Sequence, residues 1–134
     1  MNRKWQSILC GVGICVLLTA SLAFAHHSFA AEFDSAKPVT LKGTITKVEW
    51  TNPHTFFYID VKDVKTGNVL RWACELGSPN MLLSQGWKHD TLRIGMTVSL
   101  TGILARDGSR KVIARDIVAD GARIGAWPSE RHTP

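Results

Sequence analysis

The chain has 134 residues, of which 45% are hydrophobic and 20% charged, and its formal charge is +5. That length allows one domain with a modest core, and the composition excludes a disordered chain. Three cysteines are too few for a disulfide-dense scaffold.

Residues 1–25 read as a secretory signal peptide. Arg3 and Lys4 form a positive start, Ile8 to Leu22 is an uncharged apolar run, and Ala23-Phe24-Ala25 is a small-residue cleavage site. The run is short for a membrane span of ~20 residues. Cleavage after Ala25 leaves 109 of the 134 residues, lowers the charge to +3 and makes Cys74 the one remaining cysteine. A lone cysteine in an oxidising compartment forms no internal disulfide, so Cys74 is expected in the core.

Residues 26–38 read as an irregular N-terminal arm carrying Phe29 and Phe33. The β domain is expected over 39–120. From Val39 to Ile45 apolar residues fall on odd positions, and from Val48 to Trp50 they fall on even ones. A β-bulge between them explains the slip, and Gly43 eases the bend. Asn52-Pro53 marks a turn. In Thr55 to Asp63, one face is Phe57, Ile59 and Val61, and the other is Phe56, Tyr58 and Asp60. Lys65 to Asn68 is a hairpin turn with Gly67 at the positive-φ position. Val69 to Leu76 returns with Leu70, Trp72, Cys74 and Leu76 on one side, and Arg71 and Glu75 on the other.

Ser78 to Gly86 predicts a short helix, with Ser78 as cap, Pro79 at the first helical position and Gly86 as stop. Thr97 to Ala105 and Val112 to Ala119 are two further strands around a turn at Asp107-Gly108-Ser109. Three strands, a short helix and two strands is the order of an OB-like five-stranded Greek-key barrel, and a small open β-sandwich is the alternative. Residues 121–134 read as a loose tail in which Trp127 packs back.

Cleavage creates the most distinctive chemistry in the chain. His26 then carries a free α-amine with a pKa near ~8. Amine and ring together chelate one ion, and His27 adds another imidazole. Copper(II) favours such nitrogen-rich sites. The arrangement resembles the histidine brace of copper monooxygenases and copper chaperones, at the terminus alone. His54, in the turn after the first strand, is the expected third ligand, and Glu75 and Asn52 are expected to orient the imidazoles. The competing reading leaves His26 and His27 as a solvated terminus and His54 as a turn residue. His89 and His132 read as incidental.

Trp50, Phe56 and Tyr58 form a second candidate, an aromatic face that could stack on sugar rings. Arg71 and Glu75 lie about 13 Å apart on one strand, too far to pair. Each reads as a surface charge, although Glu75 could meet the arm or the His54 loop. Arg106, Arg110, Lys111 and Arg115 cluster around the last hairpin and read as a solvated turn or an anion-facing patch. No phosphate-binding glycine loop, CxxC or HExxH occurs.

The runs His26 to Asp34, Val48 to His54 and Trp72 to Pro79, with Gly86-Trp87, resemble a family of small exported bacterial proteins of unknown function. The resemblance covers nearly all of the chain from His26 to about Gly121. It implies export and one small β-rich domain, and it supplies no activity, cofactor or catalytic residue. The expectation is therefore a non-enzymatic periplasmic or secreted binding protein. Its partner is a copper ion or small ligand, or else an envelope polysaccharide or protein. Nucleic acid and a membrane span in the processed chain are not expected.

Overall fold

A computed structural model describes residues 29–126. The expected signal peptide, His26, His27, Trp127 and His132 lie outside the described residues. Residues 29–32 are helical, and the chain divides after Glu32. The strands are β1 (Phe33–Glu49), β2 (Phe56–Lys62), β3 (Val69–Glu75), β4 (Thr97–Ala105), β5 (Lys111–Ala119) and β6 (Ala122–Ala126). One short helix, α1 (Pro79–Ser84), lies between β3 and β4. The protein is mainly β, with six strands in one sheet in the order β3-β2-β1-β4-β5-β6. Neighbours in that order are antiparallel, and β3 also pairs in parallel with β5 through Ala73, Cys74 and Glu75. Among the described residues no helix is long and apolar enough to cross a membrane.

The alternation read in β2 and β3 holds. Phe57, Ile59, Cys74 and Leu76 point into the core, and Phe56 and Tyr58 do not. The slip in β1 is a register shift between Ile45 and Lys47, so Ile45 and Val48 both face inward across it. A second shift lies between Thr101 and Gly102, opposite Asp116 and Ala114. It carries β5 from Val112 and Ala114 inward to Ile117 and Ala119 inward. Ser78 caps α1 by accepting from the Met81 N–H at 3.3 Å, Pro79 opens the helix, and Leu82 is its buried residue.

Two boundaries differ from the reading of the chain. The sheet starts at Phe33 instead of Val39, because β4 supplies a pairing partner as far as Ala105. Asp34 to Pro38 has no alternation to reveal this, and the pairing is irregular between Phe33 and Pro38. The expected tail forms β6 over residues 122–126, antiparallel to β5. Phe33, Ile103, Ala105 and Ile113 are buried outside the main core. Strand pairing puts Phe33 opposite Ala105 and Ile103 opposite Ile113.

Cys74 is a free, fully buried thiol, and burial pushes its pKa well up. Burial penalises the thiolate, which is the reactive form. A thiol reagent at mildly alkaline pH is therefore expected to leave Cys74 unmodified in the folded protein and to modify it fully in denaturant. Rapid native labelling of Cys74 would contradict its place in the core.

Candidate functional site

Loop residues 50–55 join β1 to β2 and carry His54. The Asn52–Pro53 peptide is cis. The Thr51 hydroxyl donates to the His54 carbonyl at 2.9 Å, closing the turn. The loop's last residue is tied down on both sides: the Thr55 N–H donates to the Gly77 carbonyl at 2.9 Å, and the Leu76 N–H to the Thr55 carbonyl at 2.8 Å. These bonds bring the β1–β2 loop against the end of β3.

There His54 Nδ1 stands 2.6 Å from Glu75 Oε1. Glu75 is 2% exposed, so its reading as a surface charge is corrected. Its side chain lies on the outward face of β3, and burial comes from neighbouring strands that the local pattern does not name. Lys111 Nζ lies 2.7 Å from the other oxygen, Oε2, in an ionic contact without the alignment of a hydrogen bond. That ammonium also stands over the Phe33 and Phe56 rings, 5.3 and 5.4 Å from their centroids. Both distances are in the cation–π range. His54 itself remains exposed. With a carboxylate as its partner, Nδ1 of the neutral ring carries the proton, and Nε2 is left as the unprotonated donor atom of an exposed side chain. Metal-ligating histidines are held in this way.

The other expected site residues are placed less simply. Asn52 is exposed in the turn, and it has no part in the His54–Glu75 contact. Trp50, Phe56 and Tyr58 are half-buried, so they do not form a bare aromatic face. Trp50 packs on the core edge and lies 4.5 Å from the His89 ring, tilted by 53°. Its indole N–H and the Thr55 hydroxyl are buried with no hydrogen-bond partner among the described residues. Lys47 Nζ stands 5.3 Å over the Tyr58 ring. Arg71 pairs with Asp60 directly across the β2–β3 ladder, at 2.9 and 3.4 Å.

Lys111 and Phe33 were not legible as site residues. Lys111 counted as part of a basic hairpin and Phe33 as part of an arm. The cluster of four cations is also not a uniform free patch, since Arg106 lies 3.8 Å from Asp34 and Lys111 is committed to Glu75. Among the described residues no three His, Cys, Asp or Glu side chains form a group able to hold a metal. A half-open groove of about 390 Å³, lined by Lys42, Thr97, Ser99 and Val118, holds none of the expected site residues.

Beside this site the Tyr58 hydroxyl donates to Glu49 Oε2 at 2.9 Å, and Lys47 Nζ lies 2.5 Å from Glu49 Oε1. The hydrogen bond to Glu49 raises the phenol pKa, because the phenolate would face a carboxylate. Lys47 in turn lowers the Glu49 pKa, with Tyr58 second. Tyr58 is the chain's single tyrosine, so an ultraviolet difference titration reads it alone. Its midpoint is expected above the ordinary ~10, and Glu49→Gln should bring it down. The neutral phenol is the favoured form in the fold, so this contribution is present below the unfolded pKa and is lost as pH rises through the folded one. A midpoint unchanged by Glu49→Gln would refute the assignment.

Residues 14–114 match the family model described as DUF6152, a family of unknown function. The chain belongs to the DUF6152 family. The match spans most of the sequence, including the His54 loop, Glu75 and Lys111. Comparison with curated proteins and with solved structures found no match for this DUF6152 chain.

Proposed function

We propose that this DUF6152 protein is an exported, non-enzymatic binding module of the cell envelope that binds copper(II) through His54. The observation that carries the reading is the buried Glu75 carboxylate on Nδ1 of the exposed His54, which leaves Nε2 uncommitted to that contact. The further donors are the amine and ring of His26 and the imidazole of His27, made available by cleavage after Ala25. Nitrogen donors of this kind favour copper over the other common divalent ions.

In this reading the domain is an OB-like barrel. Pairing runs from β1 to β2, β3, β5, β4 and back to β1, which supports closure. The single parallel pair and a helix between β3 and β4 also fit that topology. Binding of carbohydrate or envelope polymer would use the ring faces of Trp50, Phe56 and Tyr58. Those rings already carry His89, Lys111 and Lys47 as neighbours, so copper is the better supported ligand.

Intact mass of the exported protein, with and without one equivalent of copper(II), tests the reading. The expected result is a chain beginning at His26 that retains one copper ion. A different N-terminus removes the amine ligand and overturns the site as proposed.

A further inference from the structure

We infer that Lys111 is a positioning residue for the His54 site: it fixes the Glu75 carboxylate that in turn fixes the His54 ring. The inference deepens the copper reading and rests on it for the functional consequence, although the geometry of the metal-free ring tests it separately.

The two oxygens of Glu75 divide their work. Oε1 faces His54 Nδ1 at 2.6 Å, and Oε2 faces Lys111 Nζ at 2.7 Å. A buried carboxylate with a single partner is free to turn about its last side-chain bonds. A second partner on the opposite oxygen defines the plane of the group. Lys111 is itself held, because its ammonium sits over both the Phe33 and the Phe56 rings. Its side chain is 24% exposed, so the stem is packed as well.

Strand topology explains why these residues meet. Phe56 is directly across from Glu75 on β2, and Lys111 opens β5 opposite Ala73, two residues from Glu75. Phe33 opens β1. Three separate strands therefore brace the carboxylate of a fourth, and the imidazole is the most exposed part of the assembly. A ligand-orienting group of this kind is worth about 10–100-fold in metal affinity. Glu75 has that place beside His54, and Lys111 acts through it without touching the ion.

The test reads the His54 ring by long-range ¹⁵N–¹H correlation in the metal-free protein, about two pH units above the ordinary imidazole pKa of ~6.5. Copper(II) affinity is measured in parallel for wild type, Lys111→Met, Lys111→Arg and His54→Ala. In wild type the neutral ring is expected to carry its proton on Nδ1. Lys111→Met should mix the two tautomers and lower copper affinity by about 10–100-fold. Lys111→Arg, which keeps the charge and stacks on aromatic rings, should restore most of both. A wild-type ring protonated on Nε2 overturns the inference even if Lys111→Met does not fold. A folded Lys111→Met protein with unchanged tautomer and affinity overturns it too. If His54→Ala leaves copper affinity unchanged, the copper reading alone fails, and the tautomer of the metal-free ring still decides the role of Lys111.

Discussion

Replacing His54 with alanine is expected to lower the copper(II) affinity of the processed protein by on the order of 100-fold, since losing a ligand costs at least as much as losing its orienting partner. Adding one residue before His26 should cost a similar factor. In the proposed site the two changes act on different donors of one chelate. The first removes Nε2, the atom that Glu75 leaves uncommitted by holding Nδ1. The second converts a basic amine into a peptide nitrogen and displaces the ring that chelates with it. In energy each is on the order of 3 kcal/mol. Competitive titration against a chelator of known affinity gives both values, and the absorption band of the copper complex reports the change in donor set. Trp50, in the same loop as His54, offers a fluorescence signal for the same titration. Equal affinities in all three proteins would remove copper from the reading. Loss with the extension alone would move the site to the terminus without the His54 loop.

The largest stability effect expected from adding a single methyl group is at Gly43. A Cβ built there meets the Asp60 carbonyl oxygen at 2.5 Å, its carbon at 3.0 Å and Val61 Cγ2 at 3.1 Å. The first two are backbone atoms of β2 and cannot swing aside. At this point β1 is passing from its pairing with β4 to its pairing with β2, and Thr44 pairs with both. Gly43→Ala must therefore pry β1 and β2 apart where the strand bends, at an expected cost of about 1–3 kcal/mol. Gly67→Ala makes a useful contrast. That glycine has φ +75° and nothing within 4 Å among the described residues, so its cost is conformational, about 1–2 kcal/mol, with no strand displaced. Urea unfolding separates the two by free energy, and amide exchange separates them by place. Gly43→Ala should loosen the β1–β2 pairs at Thr44 and Ile45, whereas Gly67→Ala should loosen only the turn. A Gly43→Ala protein as stable as wild type would mean that the close approach does not exist.

The places where local pattern succeeded share a cause. In β2 and β3 each side chain's face is set by the two-residue repeat of an extended chain. Phe57 and Cys74 could be placed inside, and Phe56 and Glu75 on the other face, without knowledge of any neighbour. The slip between Ile45 and Val48 was legible for the same reason, because a bulge is a break in that repeat. Ser78 and Pro79 marked α1 through capping chemistry that spans only a few residues. The match to DUF6152 likewise follows the sequence over residues 14–114.

Other features depended on residues distant in the chain. β1 extends back to Phe33 because β4 was there to pair with Pro38 and Phe33, and residues 122–126 became β6 because β5 offered an edge. The outward face of β3 was readable, but its cover was not, so Glu75 read both as a surface charge and as a candidate to orient the histidines, with nothing local to decide between them. The parallel pairing of β3 with β5 then brought Lys111 to its carboxylate, and the β1–β2 loop brought His54. Sequence alone determined the strand faces, the bulge, the helix cap, the candidate histidine and Glu75 as a candidate to orient it. Tertiary structure alone decided that the two meet and that Lys111 joins them, because a polar side chain's partner is chosen by which strands become neighbours, and hydrogen bonding between distant segments leaves no periodic trace in either one.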